Sequence, residues 1–238
     1  MLSLGAFCAF VTAGSLVGSP VSGLVAAEVA AAIVVVVAAL RINQEPWRDA
    51  LQLQRPALRY WIAAVLIGAS MWLINVRITL ALAEHVSLPL ENPAMNAVAL
   101  DPPWLTSLLC VGVVPAICEE LWFRGFWLRS LAQRWPQPLA IIVISVAFSA
   151  FHLSWAQSVS TLLLSIVLAR VTLRSRSILP AMCAHFLNNA CALALSRHDF
   201  TWLANACTAH PWLSLGIASA TTVAGIGLVE RPRSADRA

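Results

Sequence analysis

Residues 2–40 hold no basic side chain and a single acidic one, Glu28, in a run rich in Ala, Val and Leu. As one helix the run would rise roughly 58 Å at about 1.5 Å per residue, nearly twice the ~30 Å hydrocarbon core of a bilayer. It is too long for one crossing, and Gly18-Ser19-Pro20 offers a turn at its middle. Two helices are therefore expected, the second carrying Glu28. Further apolar stretches follow: Tyr60 to about Leu82, one beginning near Trp104, Pro138 to His152, and about Gln157 to Leu173, Ile178 to Leu195 and Trp212 to Leu228. None alternates with period two, so they read as helices and not barrel strands. The expected fold is all-α, a polytopic transmembrane helical bundle of about eight spans. With 60% of 238 residues hydrophobic and 11% charged, and a mean hydropathy of +0.79, the chain lies far outside the range of soluble domains.

Charge placement orients the bundle. The formal net charge of +4 comes from Arg alone, without any Lys. Arg41, Arg48, Arg55 and Arg59 lie between the second and third spans, Arg129 and Arg134 end the fourth, Arg170, Arg174 and Arg176 surround the end of the sixth, and Arg231, Arg233 and Arg237 follow the eighth. The connector from Glu84 to Pro103 is acidic, with Glu84, Glu91 and Asp101 and no Arg. By the positive-inside rule the Arg-rich connectors and both termini are expected in the cytoplasm. Arginines spread over loops, rather than gathered in one stripe, exclude a nucleic-acid surface and leave membrane lipid as their partner. The Lys-free, Ala-, Arg- and Trp-rich composition suggests a GC-rich genome and a bacterial cytoplasmic membrane. Cys8, Cys110, Cys118, Cys183, Cys191 and Cys207 show no CxxC spacing and sit mostly in apolar segments, so neither disulfides nor a thiolate metal site is expected. The N-terminus lacks a basic n-region, which argues against a cleavable signal peptide. With no repeat or low-complexity tract, residues 1–238 read as one membrane domain: 1–103 the N-terminal spans, 104–195 a core, 196–238 the last span and tail.

Charge inside an apolar span needs a reason. Trp104 to Cys118 is uncharged, and then comes Glu119-Glu120-Leu121-Trp122-Phe123-Arg124. Ionised groups at that depth cost several kcal/mol unless paired or used. On a helix Glu120 and Arg124 are an i,i+4 pair with the acid N-terminal, the better orientation, while Glu119 lies ~100° round the helix without a partner. Two more polar intrusions follow, Phe148-x3-His152 at the end of the fifth span and His185-x3-Asn189 within the seventh. Each has a bland reading, a register-fixing ion pair or a hydrogen-bonded histidine, but Glu, His, His and Asn on three helices of one bundle favour a site. Counted up from the cytoplasmic side, His152 lies ~20 Å along its helix and His185 ~10 Å, so tilted or re-entrant ends must bring them level. Glu28 and Arg77 read as a structural pair or as snorkelling groups. His85, His198 and His210 read as solvated, and Trp104, Trp122, Trp127, Trp135, Trp155, Trp202 and Trp212 as interface anchors.

The order Glu119-Glu120-x3-Arg124, Phe148-x3-His152, His185-x3-Asn189 on successive membrane helices resembles the CPBP family, the CAAX proteases (type II CAAX endopeptidases) and bacteriocin-processing enzymes. The resemblance covers roughly Trp104 to Leu195; the first three spans match only in being hydrophobic. It implies a glutamic-type intramembrane endopeptidase that needs no metal and acts on a membrane-anchored protein or peptide. Glu119 and His152 would activate water, a protonated His185 and the Asn189 amide would stabilise the oxyanion, and Arg124 would hold Glu120 and so fix the helix around Glu119. Residue chemistry agrees: a carboxylate in a low-dielectric cavity is a better proton acceptor than one in water, and a nearby imidazole can orient that water. Oxyanion donors are typically worth ~10²–10³ in rate each. Two other readings stay open. Two His and a Glu make a familiar zinc set, giving an intramembrane metalloprotease, although no HExxH pair is present. A transporter would use Glu28, Arg77, Glu119 and the histidines as an ion path, and a non-catalytic immunity or scaffold protein would use none of them. The resembled family spans prenyl-protein maturation, peptide processing and removal of C-terminal sorting segments, and nothing in the chain selects among these substrates.

Overall fold

The structure, a computed structural model, describes residues 9, 11–42, 46–86, 93–152 and 155–232, and these form helices joined by short links, with no strand among them. Most of the first expected span, residues 1–8 and 10, lies outside the described residues. Residues 11–15 are helical and 16–19 make the turn anticipated at Gly18-Ser19-Pro20. Helix α1 (Pro20–Ile42) then begins on its proline, whose fixed φ and missing N–H suit the first helical position.

The other helices are α2 (Trp47–Ala50), α3 (Leu58–Val86), α4 (Pro93–Ala99), α5 (Trp104–Ala132), α6 (Gln137–Phe151), α7 (Trp155–Ser175), α8 (Leu179–Ser196), α9 (Thr201–Ala209) and α10 (Pro211–Glu230). Pro138, Pro180 and Pro211 lie in the first turns of α6, α8 and α10, so proline marks where helices start and not where they break. Among the described residues five helices are long and apolar enough to cross a membrane: Pro20–Arg41, Leu58–His85, Trp104–Ala132, Gln157–Ser175 and Pro211–Glu230. The chain is a multi-pass membrane protein. α6 has only 15 residues, and α8, with 18, carries His185, Asn188 and Asn189. α4 and α9 form inside connectors that the sequence reads as external loops.

α3 is the hub, packing against α7, α8 and α10. Apolar side chains gain little by leaving lipid for protein, so helices in a bilayer associate through close van der Waals contact between small residues. Ala63, Ala64, Ala181 and Ala184 are completely buried here. A Cβ on Gly68 would lie 2.5 Å from the Ala184 carbonyl oxygen, and one on Gly225 would lie 2.8 Å from Ile67 Cγ1. A second core joins α1, α5, α6 and α7 through Ala31, Val35, Trp122, Phe123, Leu128, Ala140, Ile144, Phe148 and Ala169. Trp122 belongs to this core, with Phe123 and Phe151 rings each 5.0 Å from its own; it is 2% exposed and is no interface anchor. Trp202 and Trp212 are exposed.

The connectors meet in two groups. Arg129 donates to Asp49 O at 2.6 Å, Ile178 N to Gln52 O at 3.0 Å, Arg59 to Pro232 O at 3.0 Å, and Arg170 to Glu230 Oε2 at 2.7 Å. At the other end of the helices Arg197 donates to the Ala99, Leu100 and Pro102 carbonyls, each at 3.0 Å, and Trp104 to Asp199 at 2.6 Å. Arg77 donates to Cys207 O at 2.6 Å. The Glu28–Arg77 pair anticipated from sequence does not form.

Candidate active site

The acidic pair sits where α5 changes its winding. Leu108–Val113 and Glu120–Leu128 are π-helical, with an α-helical stretch, Val114–Glu119, between them. Such wide turns appear mostly as local bulges, frequently at functional sites. Pro115 within the α-helical stretch has no N–H to offer the carbonyl four residues back, Val111 O. The Asn189 amide of α8 donates to that carbonyl at 2.9 Å. The bond ties α8 to α5. Asn189 Oδ1 accepts from Asn188 at 3.1 Å, and Asn188 Oδ1 accepts from Asn75 of α3 at 3.1 Å.

Glu120 and Arg124 are both fully buried. Arg124 Nη1 donates to Glu120 Oε1 at 2.8 Å and Nη2 donates to Ser165 Oγ of α7, also at 2.8 Å. The guanidinium lies 4.3 Å from the centre of the Phe148 ring, whose π face favours a cation. Glu120 Oε1 also meets His185 Nδ1 at 2.9 Å. With Glu120 ionised this nitrogen is the donor, and Nε2 is the imidazole's other face. One carboxylate oxygen therefore gathers the motif's arginine and the histidine of α8.

Glu119 has a different environment. It is 6% exposed; its Oε2 lies 3.7 Å from His185 Nε2 and has no hydrogen-bond partner. Its carboxyl also lies within hydrogen-bonding reach of Glu28 on α1. His185 thus stands between the two glutamates, one nitrogen toward each.

His152 closes α6, and its Nδ1 meets its own helix at Phe148 O, 2.9 Å away. The Phe148 ring lies 4.8 Å from the His152 ring and 6.0 Å from that of His185. Both imidazoles therefore flank one phenyl ring despite their unequal distances along their helices, which requires α6 and α8 to be staggered or inclined. The described contacts join Glu119 to His185 rather than to His152.

Sequence reasoning placed Glu28 away from this cluster and did not single out Ser165, Asn75 or Asn188. The signal for Glu28 was its isolation as the one charge in residues 2–40; the signal for Ser165 was weaker, a small hydroxyl in an apolar helix. Among the described residues no group of three or more His, Cys, Asp or Glu side chains is placed to hold a metal ion. His85 and His198 are exposed. The five described cysteines are free thiols, while Cys8 lies outside the described residues.

Residues 101–191 match the protein family described as type II CAAX prenyl endopeptidase Rce1-like. No curated protein and no solved structure matches the chain. The matched segment holds Glu119, Glu120, Arg124, His152, His185 and Asn189 and leaves α1 outside.

Proposed function

Residues 101–191 are an Rce1-like type II CAAX prenyl endopeptidase domain, the domain of a membrane peptidase, and from that premise we propose that the chain hydrolyses a peptide bond in or near the membrane segment or C-terminal tail of a protein substrate. Glu119 is the general base: it takes a proton from water whose oxygen bonds the scissile carbonyl carbon, with His152 orienting that water. His185 and the second N–H of the Asn189 amide donate to the oxyanion. Glu120 and Arg124 hold His185 and the α5 backbone in place.

The observation that carries this reading is Glu119 Oε2, a buried carboxylate oxygen with no hydrogen-bond partner, 3.7 Å from His185 Nε2. Glu120 Oε2 is unpartnered too, but Glu120 Oε1 is held by Arg124 and His185, which leaves Glu119 as the carboxylate free to serve as a water-activating base. Cells expressing the parent or Glu119→Gln supply the test, with protein termini in their membranes mapped by mass spectrometry. New termini present only with the parent support hydrolysis; identical maps rule it out. Because the chemistry rests on a carboxylate, cleavage by the purified protein persists after exhaustive chelation. Loss on chelation with recovery on adding Zn²⁺ would instead make His152 and His185 ligands.

In the proposed topology α6, α8 and the apolar run before Gly18 join the five long helices to give eight spans. The connector contacts support the sidedness of the spans from α1 onward, since each links segments assigned to the same side. Both termini then lie in the cytoplasm, in a bacterial cytoplasmic membrane, and a single-pass substrate enters sideways between helices. Prenyl-protein-like maturation, peptide maturation and sorting-signal removal all fit that entry.

A further inference from the structure

Glu28 lies outside the matched domain, on a helix to which the proposed chemistry assigns nothing, yet its side chain is 2% exposed and reaches the site. α1 packs along α5 through Ala31 and Val35 against Trp122 and Phe123, which directs Glu28 at Glu119. The two carboxyl groups are within hydrogen-bonding reach, and Glu28 Oε2 is buried without a hydrogen-bond partner. Neither arginine serves it: Arg124 donates to Glu120 and Ser165, and Arg77 donates to Cys207 O. Two carboxylates in contact are both acceptors, so a bond between them requires a proton on one.

We propose that Glu28 is a positioning residue for hydrolysis: as a carboxylic acid it donates to the Glu119 carboxylate, fixing one Glu119 oxygen and leaving Oε2 for water. The pair holds one proton at rest. Water gives a second proton to Glu119 as its oxygen bonds the carbonyl carbon and the carbonyl π electrons become the oxyanion. When the intermediate collapses the C–N bond breaks, the amine takes the proton from Glu119, and the pair returns to one proton. The Glu28 proton stays in place throughout, and the buried pair never carries two negative charges. The alternative is that Glu28 only fills space, a task that Leu performs without the cost of burying a polar group.

The inference rests on Glu119 being the base, and the test separates the two claims. Full-length parent, Glu28→Gln, Glu28→Leu and Glu119→Gln are purified in an ester-free detergent. Cleavage is followed on a fluorescently tagged fragment of a membrane protein identified by the terminus mapping. Gln keeps an N–H donor toward Glu119 and Leu does not. Glu28→Leu should lower kcat by about 10²-fold, the usual effect of losing one oriented donor, with KM and Tm close to the parent's. Glu28→Gln should recover most of that loss. In the infrared, the carbonyl band of a buried protonated carboxyl should be present in the parent and Glu119→Gln and absent in Glu28→Gln. Glu28→Leu at the parental kcat, Glu28→Gln no better than Glu28→Leu, or a band that survives Glu28→Gln overturns the role of Glu28. Glu119→Gln cleaving at the parental rate overturns the base itself, and the proposed function with it.

Discussion

Glu119 and Glu120 share a peptide bond and little else. Glu120 is fixed by Arg124 and His185 at one oxygen, whereas Glu119 meets Glu28 and, at 3.7 Å, His185. Removing charge from each should therefore fail differently. Glu119→Gln should abolish cleavage with Tm and expression close to the parent's. Arg124→Ala leaves Glu120 as an uncompensated buried charge, a loss of about 3–5 kcal/mol, so Tm and membrane protein level should fall with activity. The double change Glu120→Gln with Arg124→Gln removes both charges and should regain part of that stability in the same melting assay. If Arg124→Ala proves as stable as the parent, the pair does not carry the site. The Glu120–Arg124 pair was legible in sequence because i,i+4 spacing is a local rule. Glu28 was not, since its partner stands on another helix far along the chain and no local pattern encodes which residues of two helices meet.

At the scale of the helix, the link from Pro115 through Val111 to Asn189 sets how α5 and α8 lie. Pro115→Ala restores an N–H able to bond the Val111 carbonyl and so competes with Asn189. Alanine relieves the helix of a residue disfavoured by about 3 kcal/mol in helix interiors, so an ordinary expectation is a more stable protein. We expect kcat to fall all the same, because Asn189 is released from α5; unchanged kcat with a raised Tm would show that the tie does not position the amide. Most helix limits were readable to within a few residues, since proline starts α6, α8 and α10 and arginine clusters end several others. The π-helical winding around Glu120 was not readable, because backbone registers of this kind depend on packing against other helices, here chiefly α1 and α6. α4 and α9 were missed for a related reason: each is too short to show a helical period.

For the whole molecule, the alternation of Arg-rich and Arg-poor connectors predicts a topology that a reporter can check. Fused after residue 238, a reporter active only in the cytoplasm should be active, and one active only outside should be silent; the reverse result would mean an odd number of spans. Membrane class and repeated crossings were plain from composition. The substrate was not, since recognition depends on gaps between helices that no single segment encodes. One helix is also short for its setting. The 15 residues of α6 rise about 22 Å, some 8 Å less than a ~30 Å hydrocarbon core. Lipids beside a short span thin to match it, at a cost that grows with each ångström of mismatch. With α6 as a span, as proposed, that dimple would draw headgroups and bulk water toward the end of α6, where His152 sits, and the bilayer itself would shorten the route by which the second reactant arrives. Reconstituted in lipids of increasing acyl-chain length, the enzyme should lose kcat steadily while its Tm in detergent stays fixed, and a flat response would mean that water reaches the site by another path.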